Sequence, residues 1–168
     1  MDVGADMHYE IYEGREDQRE LLEALPTIEW GAGKYMYKMI TSGEFHARLG
    51  ETARLYFLRE GEAGEAGAGE AGEAGKLVAF VAIVEQDYHP VPEWDRWIAF
   101  LYVWPEYRGR RLSEQIISDM EQEIRDMGEH EVHILTRHFG LYDKYGYEFV
   151  REEAEAQHGK SYIYRKSL

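Results

Sequence analysis

The chain has no cysteine in its 168 residues. Disulfides, thiolate nucleophiles and thiolate metal sites are therefore excluded, and the redox compartment stays open. Apolar runs of membrane-spanning length are also missing, and the polar start MDVGADMHYE lacks a signal-peptide core. A cytoplasmic protein with no membrane partner is the expectation. Basic residues are few beside acidic ones: 19 Lys and Arg against 33 Asp and Glu leave a net charge of −14. That balance argues against nucleic acid and favours a cationic partner, with a solvated acidic surface as the plainer alternative. The seven histidines are scattered, and the closest pair, His130 and His133, falls on opposite faces of an expected strand, so no metal site is expected.

What is present reads as one domain spanning 1–168, since 44% apolar residues with many aromatics suffice for a sizeable core. HYEIY at 8–12 predicts a first strand, and REDQRELLEAL a helix stopped by Pro26. A glycine-broken turn, TIEWGAG, leads into a second helix over 34–40. Its Gly31 and Gly33 lack the third glycine and the preceding strand of a dinucleotide loop. TARLYFLR at 52–59 and KLVAFVAIVEQDY at 76–88 predict two strands. Between them GEAGEAGAGEAGEAG at 61–75 has no large side chain to offset ordering entropy, and reads as an extended hairpin tip.

The most informative stretch is 97–128, WIAFLYVWPEYRGRRLSEQIISDMEQEIRDMG. Trp97 to Trp104 reads as a buried strand ended by Pro105. Arg108, Arg110 and Arg111 crowd a turn around Gly109. Ser113 is the expected N-cap of a helix whose Leu112, Ile116, Ile117, Met120, Ile124 and Met127 recur at helical spacing, with Gly128 as its C-terminal stop. Strand, basic turn and helix N-terminus converge on one spot suited to a phosphate. EVHILT at 131–136 predicts a strand parallel to 97–104 through a right-handed crossover. HFGLYDKYG predicts a short helix, and YEFVREE and SYIYRK the last two strands.

Arg108 and the lead-in VWPEYRG, together with LYDKYGYEFV at 141–150, resemble the GNAT superfamily of acetyl-CoA-dependent N-acetyltransferases. The family pattern of Arg or Gln, two free positions, Gly, one free position, then Gly or Ala is departed from at Arg111 and Ser113. The resemblance implies an α/β (α+β) fold with a mixed, mostly antiparallel sheet and a splayed parallel strand pair. It implies that acetyl-CoA lies with its pantetheine amides on the backbone of Leu101, Tyr102 and Val103. Its pyrophosphate would rest on the turn Arg108, Gly109, Arg110, Arg111, Leu112 and Ser113, with Phe139 and Tyr145 lining the groove. Tyr142 matches the family tyrosine that protonates the leaving thiolate, while direct attack by the amine needs no cysteine. The glutamate that some members use as base falls at Ile98, which has no such chemistry. Glu85, Asp87, Glu29 and His133 are the alternatives, and none is singled out. The acceptor of such a fold enters between 26–33 and 152–160; Glu29, Trp30, Glu152, Glu153 and Glu155 then imply a small cationic amine or a basic peptide terminus. Two other readings are a CoA-binding module without catalysis, kept open by Arg111, Ser113 and Ile98, and an acidic interaction protein acting through 61–75.

Overall fold

A computed structural model describes residues 6–61, 75–155 and 159–168. Seven strands form one sheet: β1 Met7–Ile11, β2 Arg54–Glu60, β3 Lys76–Val84, β4 Trp97–Val103, β5 Glu131–Thr136, β6 Glu148–Glu155 and β7 Gly159–Ser167. They stand in the order β1-β2-β3-β4-β5-β7-β6. Every neighbouring pair is antiparallel except β4 with β5. Helices α1 Arg19–Ala24, α2 Gly31–Thr41 and α3 Phe45–Leu49 cover one face, and α4 Leu112–Asp126 covers the other.

The central strands are apolar on both sides because both sides are covered. In β2, Leu55 and Phe57 join the core under α1 and α2, while Tyr56 and Leu58 join the core under α4. β3 is buried from Val78 through Val84 for the same reason. β2 and β3 form a hairpin whose last rung pairs Glu60 with Lys76. The extended tip expected at 61–75 falls, apart from Gly61 and Gly75, outside the described residues. At the α1–α2 junction Pro26 sits in a 3-10 turn, Leu25–Thr27, rather than after the helix. Gly33 lies so close to that turn that a Cβ would strike the Leu25 carbonyl oxygen and the Ile28 side chain. This glycine serves close packing, not phosphate binding.

Two local expectations are corrected. α4 begins at Leu112, so its N-cap is Arg111, and Ser113 lies inside the first turn with no capping hydrogen bond. The segment before Gly146 is a single 3-10 turn, Tyr142–Tyr145, rather than a short α-helix. The C-terminal stop of α4 is as expected: Gly128 adopts φ +86°, its N–H donates to Arg125 C=O, and Glu129 N–H donates to Ile124 C=O. These are the two bonds of a Schellman motif.

Candidate active site

β4 and β5 share a single rung, Trp97 opposite His133, where His133 N–H donates to Arg96 C=O at 3.0 Å. Beyond it the strands part. β5 continues its pairing with β7 out to Thr136 opposite Tyr162, leaving the far half of β4 without a partner on that side. A bulge widens the opening. Phe100 has φ +55°, and the register of β4 on β3 slips between Ala99 opposite Ala82 and Tyr102 opposite Phe80. Ala99 and Phe100 consequently pack toward the same core, that of α1 and α2. Trp104 N–H donates to Val78 C=O at 2.9 Å, so alternation turns the backbone of Val103 and Leu101 away from β3 and into the cleft.

The turn after β4 points positive groups at the end of this cleft. Arg108 Nε donates to Val103 C=O at 2.9 Å, and its guanidinium lies 5.3 Å over the Tyr102 ring. Gly109 and Arg111 both have positive φ, +81° and +58°, and such reversals turn successive N–H groups inward as an anion nest. Gln115 N–H is the first in α4 to find a helical carbonyl, that of Arg111, so the N–H groups of Leu112, Ser113 and Glu114 remain for a ligand. The other two arginines are engaged: Arg110 with Glu60 at 3.7 Å and Arg111 with Glu114 at 3.2 Å. Nest, helix end and unpaired β4 backbone together fit a long ligand with amides at one end and phosphates at the other.

Tyr142 approaches from the α4 side, its ring packed against Tyr145, Tyr147 and Tyr164. Burial, reinforced by Tyr145 and Asp87, pushes its hydroxyl up to about 12, so it stays protonated at neutral pH. On the opposite face Trp30, 42% exposed, stacks on Tyr102 at 6.2 Å, and exposed Glu29 precedes it. Phe139 stands apart from this cluster, 67% exposed and in edge contact with Phe149 and Tyr162.

Residues 22–147 match the sequence profile of the Acetyltransferase (GNAT) family. The chain belongs to this family. Among solved structures it is similar to spermidine N-acetyltransferase from Vibrio cholerae in complex with CoA and spermine. That likeness has 8% identity and a TM-score of 0.61, and covers 98% of this chain and 96% of the other. An acetyltransferase from Streptococcus agalactiae is similar at 15% identity and TM-score 0.60, covering 98% of this chain and 100% of the other. At such identities the likeness shows the GNAT fold. No curated protein matches.

Within this GNAT fold the four carboxylate and histidine alternatives separate by environment. Ile98 is buried in the α4-side core, so β4 carries no base. Glu85 is tied to Thr52, accepting from its N–H at 2.8 Å and from its hydroxyl. His133 is 2% exposed, stacked at 4.4 Å on Trp94 and 5.2 Å from Trp97, and burial lowers its pKa. Glu29 lies on the surface. Asp87 is the buried carboxylate of the set, 5% exposed, in the loop that packs through Tyr88 on Phe100 of the β4 bulge. Sequence reasoning named Glu155 only as an acceptor-side carboxylate and passed over Tyr88, Phe100 and Ser161, which with Glu155 build the surroundings of the Asp87 loop. An all-apolar strand gives no sign of where it will bulge, and the hydrogen bonds from Tyr88 and Ser161 to Glu155 span 67 and 6 residues.

Proposed function

We propose that the chain transfers the acetyl group of acetyl-CoA to the primary amine of a small cationic acceptor, with Tyr142 as the general acid. The observation that carries this reading is the cleft opened by the parting of β4 from β5, with a nest of N–H groups at its end, and Tyr142, packed among Tyr145, Tyr147 and Tyr164 after β5, supports it. The donor, when bound, supplies an activated thioester. The chain's own part is to bind, orient and move protons. Backbone groups of Leu101 and Val103 lie along the pantetheine arm, with Tyr102 between them turned to β3, and the stretch Arg108–Ser113 holds the pyrophosphate. Arg108, braced on the Val103 carbonyl, keeps its terminal nitrogens for phosphate oxygens. Tyr145, packed on Tyr142, flanks the far side, whereas Phe139 stands apart from it. The Tyr142 hydroxyl, with no hydrogen-bond partner among the described residues, is the proton source for the departing sulfur.

The acceptor class follows from charge. Glu29 stands exposed beside Trp30, whereas on β6 Glu152 pairs with Lys160 at 3.0 Å, Glu153 with Arg151 and His89, and Glu155 with Tyr88 and Ser161, so Glu29 and Trp30 are the groups left for an acceptor. Carboxylates with an aromatic face suit an ammonium better than a neutral group. Polyamine acetylation by the Vibrio cholerae neighbour agrees with this class. A basic peptide terminus is the second acceptor, favoured by the same charges.

Calorimetric titration with acetyl-CoA, beside thiol release across a panel of polyamines, monoamines and basic peptides, tests the proposal. Expected are binding weakened in Arg108→Ala but kept in Tyr142→Phe, and turnover fastest with polyamines. Binding without turnover of any amine would make the chain a non-catalytic CoA-binding module.

A further inference from the structure

The loop joining β3 to β4 folds back over the bulge in β4. Tyr88 meets the Phe100 ring edge-on at 6.5 Å, and its hydroxyl donates to Glu155 at the end of β6. Glu155 is also bonded by the Ser161 hydroxyl, which closes the pair β6 and β7 against the loop. Asp87 sits behind this brace, 5% exposed. Its Oδ1 accepts from the Tyr88 N–H at 2.7 Å, and no lysine or arginine among the described residues pairs with the carboxylate. A buried carboxylate without a cation either keeps its proton or takes a positive partner, and an incoming ammonium is such a partner. The loop that carries Asp87 packs through Tyr88 on Phe100, at the bulge where β4 departs from regular pairing.

We propose that Asp87 is the catalytic base, accepting a proton from the acceptor's ammonium group on the face of the cleft opposite Tyr142. The inference rests on the acetyl-transfer reading above and supplies its missing proton acceptor. The groups facing Asp87 are Tyr88 and His89 from its own loop, Glu155 from β6 and Tyr142 from the turn after β5. Burial, with Glu155 adding, pushes Asp87 up to about 7, against the opposing pull of the Tyr88 N–H and of His89. A base that titrates near the working pH is both ionised enough to accept a proton and basic enough to hold it.

The protons balance. An incoming R–NH3+ gives one proton to Asp87, which returns it to water, and the freed lone pair forms the N–C bond as the C–S bond breaks. The departing sulfur takes the Tyr142 proton, a second nitrogen proton restores the phenol, and the amide keeps the third.

Asp87→Asn preserves the bond to the Tyr88 N–H but cannot accept a proton. For an alkylamine acceptor kcat/KM should fall by about 10²–10⁴-fold. A hydrazide, which is unprotonated at neutral pH, should be acetylated within about tenfold of wild type. The calorimetric Kd for acetyl-CoA should not move. Independently of turnover, the Asp87 carboxyl carbon followed by NMR in unliganded wild-type protein should titrate near neutrality. A midpoint in the ordinary aspartate range, or an Asp87→Asn enzyme that loses alkylamine and hydrazide activity equally, overturns the assignment while leaving acetyl transfer intact. A wild type that binds acetyl-CoA yet acetylates no amine overturns both.

Discussion

At the scale of single residues the proposed mechanism assigns opposite tasks to two titrating groups that differ in environment. Tyr142 is held protonated and Asp87 is held near the point of exchange, in both cases mainly by burial. A thiolate is already a tolerable leaving group, so Tyr142→Phe should lower kcat only about 10²-fold, the low end for general acids, with acetyl-CoA affinity unchanged. Asp87 also shapes stability. The folded chain keeps a proton on it up to about pH 7, while the unfolded chain releases that proton in the ordinary aspartate range. The folded state therefore binds more protons within that window, and stability falls as pH rises through it. Asp87→Asn removes this slope: its Tm should exceed that of wild type at pH 8 and should not exceed it at pH 4. Arg111 illustrates a different strain. It holds φ +58°, where a β-carbon is disfavoured, and its side chain, 85% exposed, pairs with Glu114. Arg111→Gly should then be about 1 kcal/mol more stable than Arg111→Ala by denaturant unfolding, since both lose the guanidinium and only one keeps the Cβ.

At the scale of elements, what could be read from the sequence was what local pattern determines. β5 falls at 131–136 as alternation and flanks required, and the Schellman stop at Gly128 follows from glycine's access to positive φ. The start of α4 was misplaced by two residues, because Ser113 has the chemistry of a cap whereas the chain's geometry puts Arg111 there. α3, five residues long, has too few turns for periodicity to register. The β4 bulge and the loop that brings Asp87 back over it depend on pairing between distant segments, which no local window contains. Tyr142 was legible because a motif marked it; Asp87 was only one of several carboxylates until its burial was known. The α1–α2 junction carries a prediction of its own. Gly33 touches the Leu25–Thr27 turn so closely that Gly33→Ala must push the two apart. A loss of about 1–3 kcal/mol is expected from such overpacking. Because Trp30 is the N-cap of α2, KM for the amine should rise more than KM for acetyl-CoA.

At the scale of the whole molecule, the proposed reaction requires a chain of net charge −14 to bind two substrates of opposite sign. On that proposal the acidic surface would draw a polyamine toward the cleft and repel a CoA anion, which Arg108 and the N–H groups of the turn and α4 would hold by reversing the potential locally. These fields differ in range. Attraction of the cation is summed over scattered carboxylates, many lying beyond a Debye length of about 10 Å at 0.1 M salt, so added salt screens it strongly. Contact with the pyrophosphate is short-range and hydrogen-bonded, so salt weakens it less, while the long-range repulsion of the same anion is relieved. Raising sodium chloride from roughly 0.02 to 0.3 M should therefore lower kcat/KM severalfold for a divalent or trivalent amine and less for a monoamine, with KM for acetyl-CoA nearly constant. Initial-rate kinetics with spermidine, a monoamine and acetyl-CoA as the varied substrates decide it. Equal salt sensitivity for all three would mean that the acidic surface plays no part in acceptor capture and that selection rests on Trp30 and the carboxylates at the cleft alone.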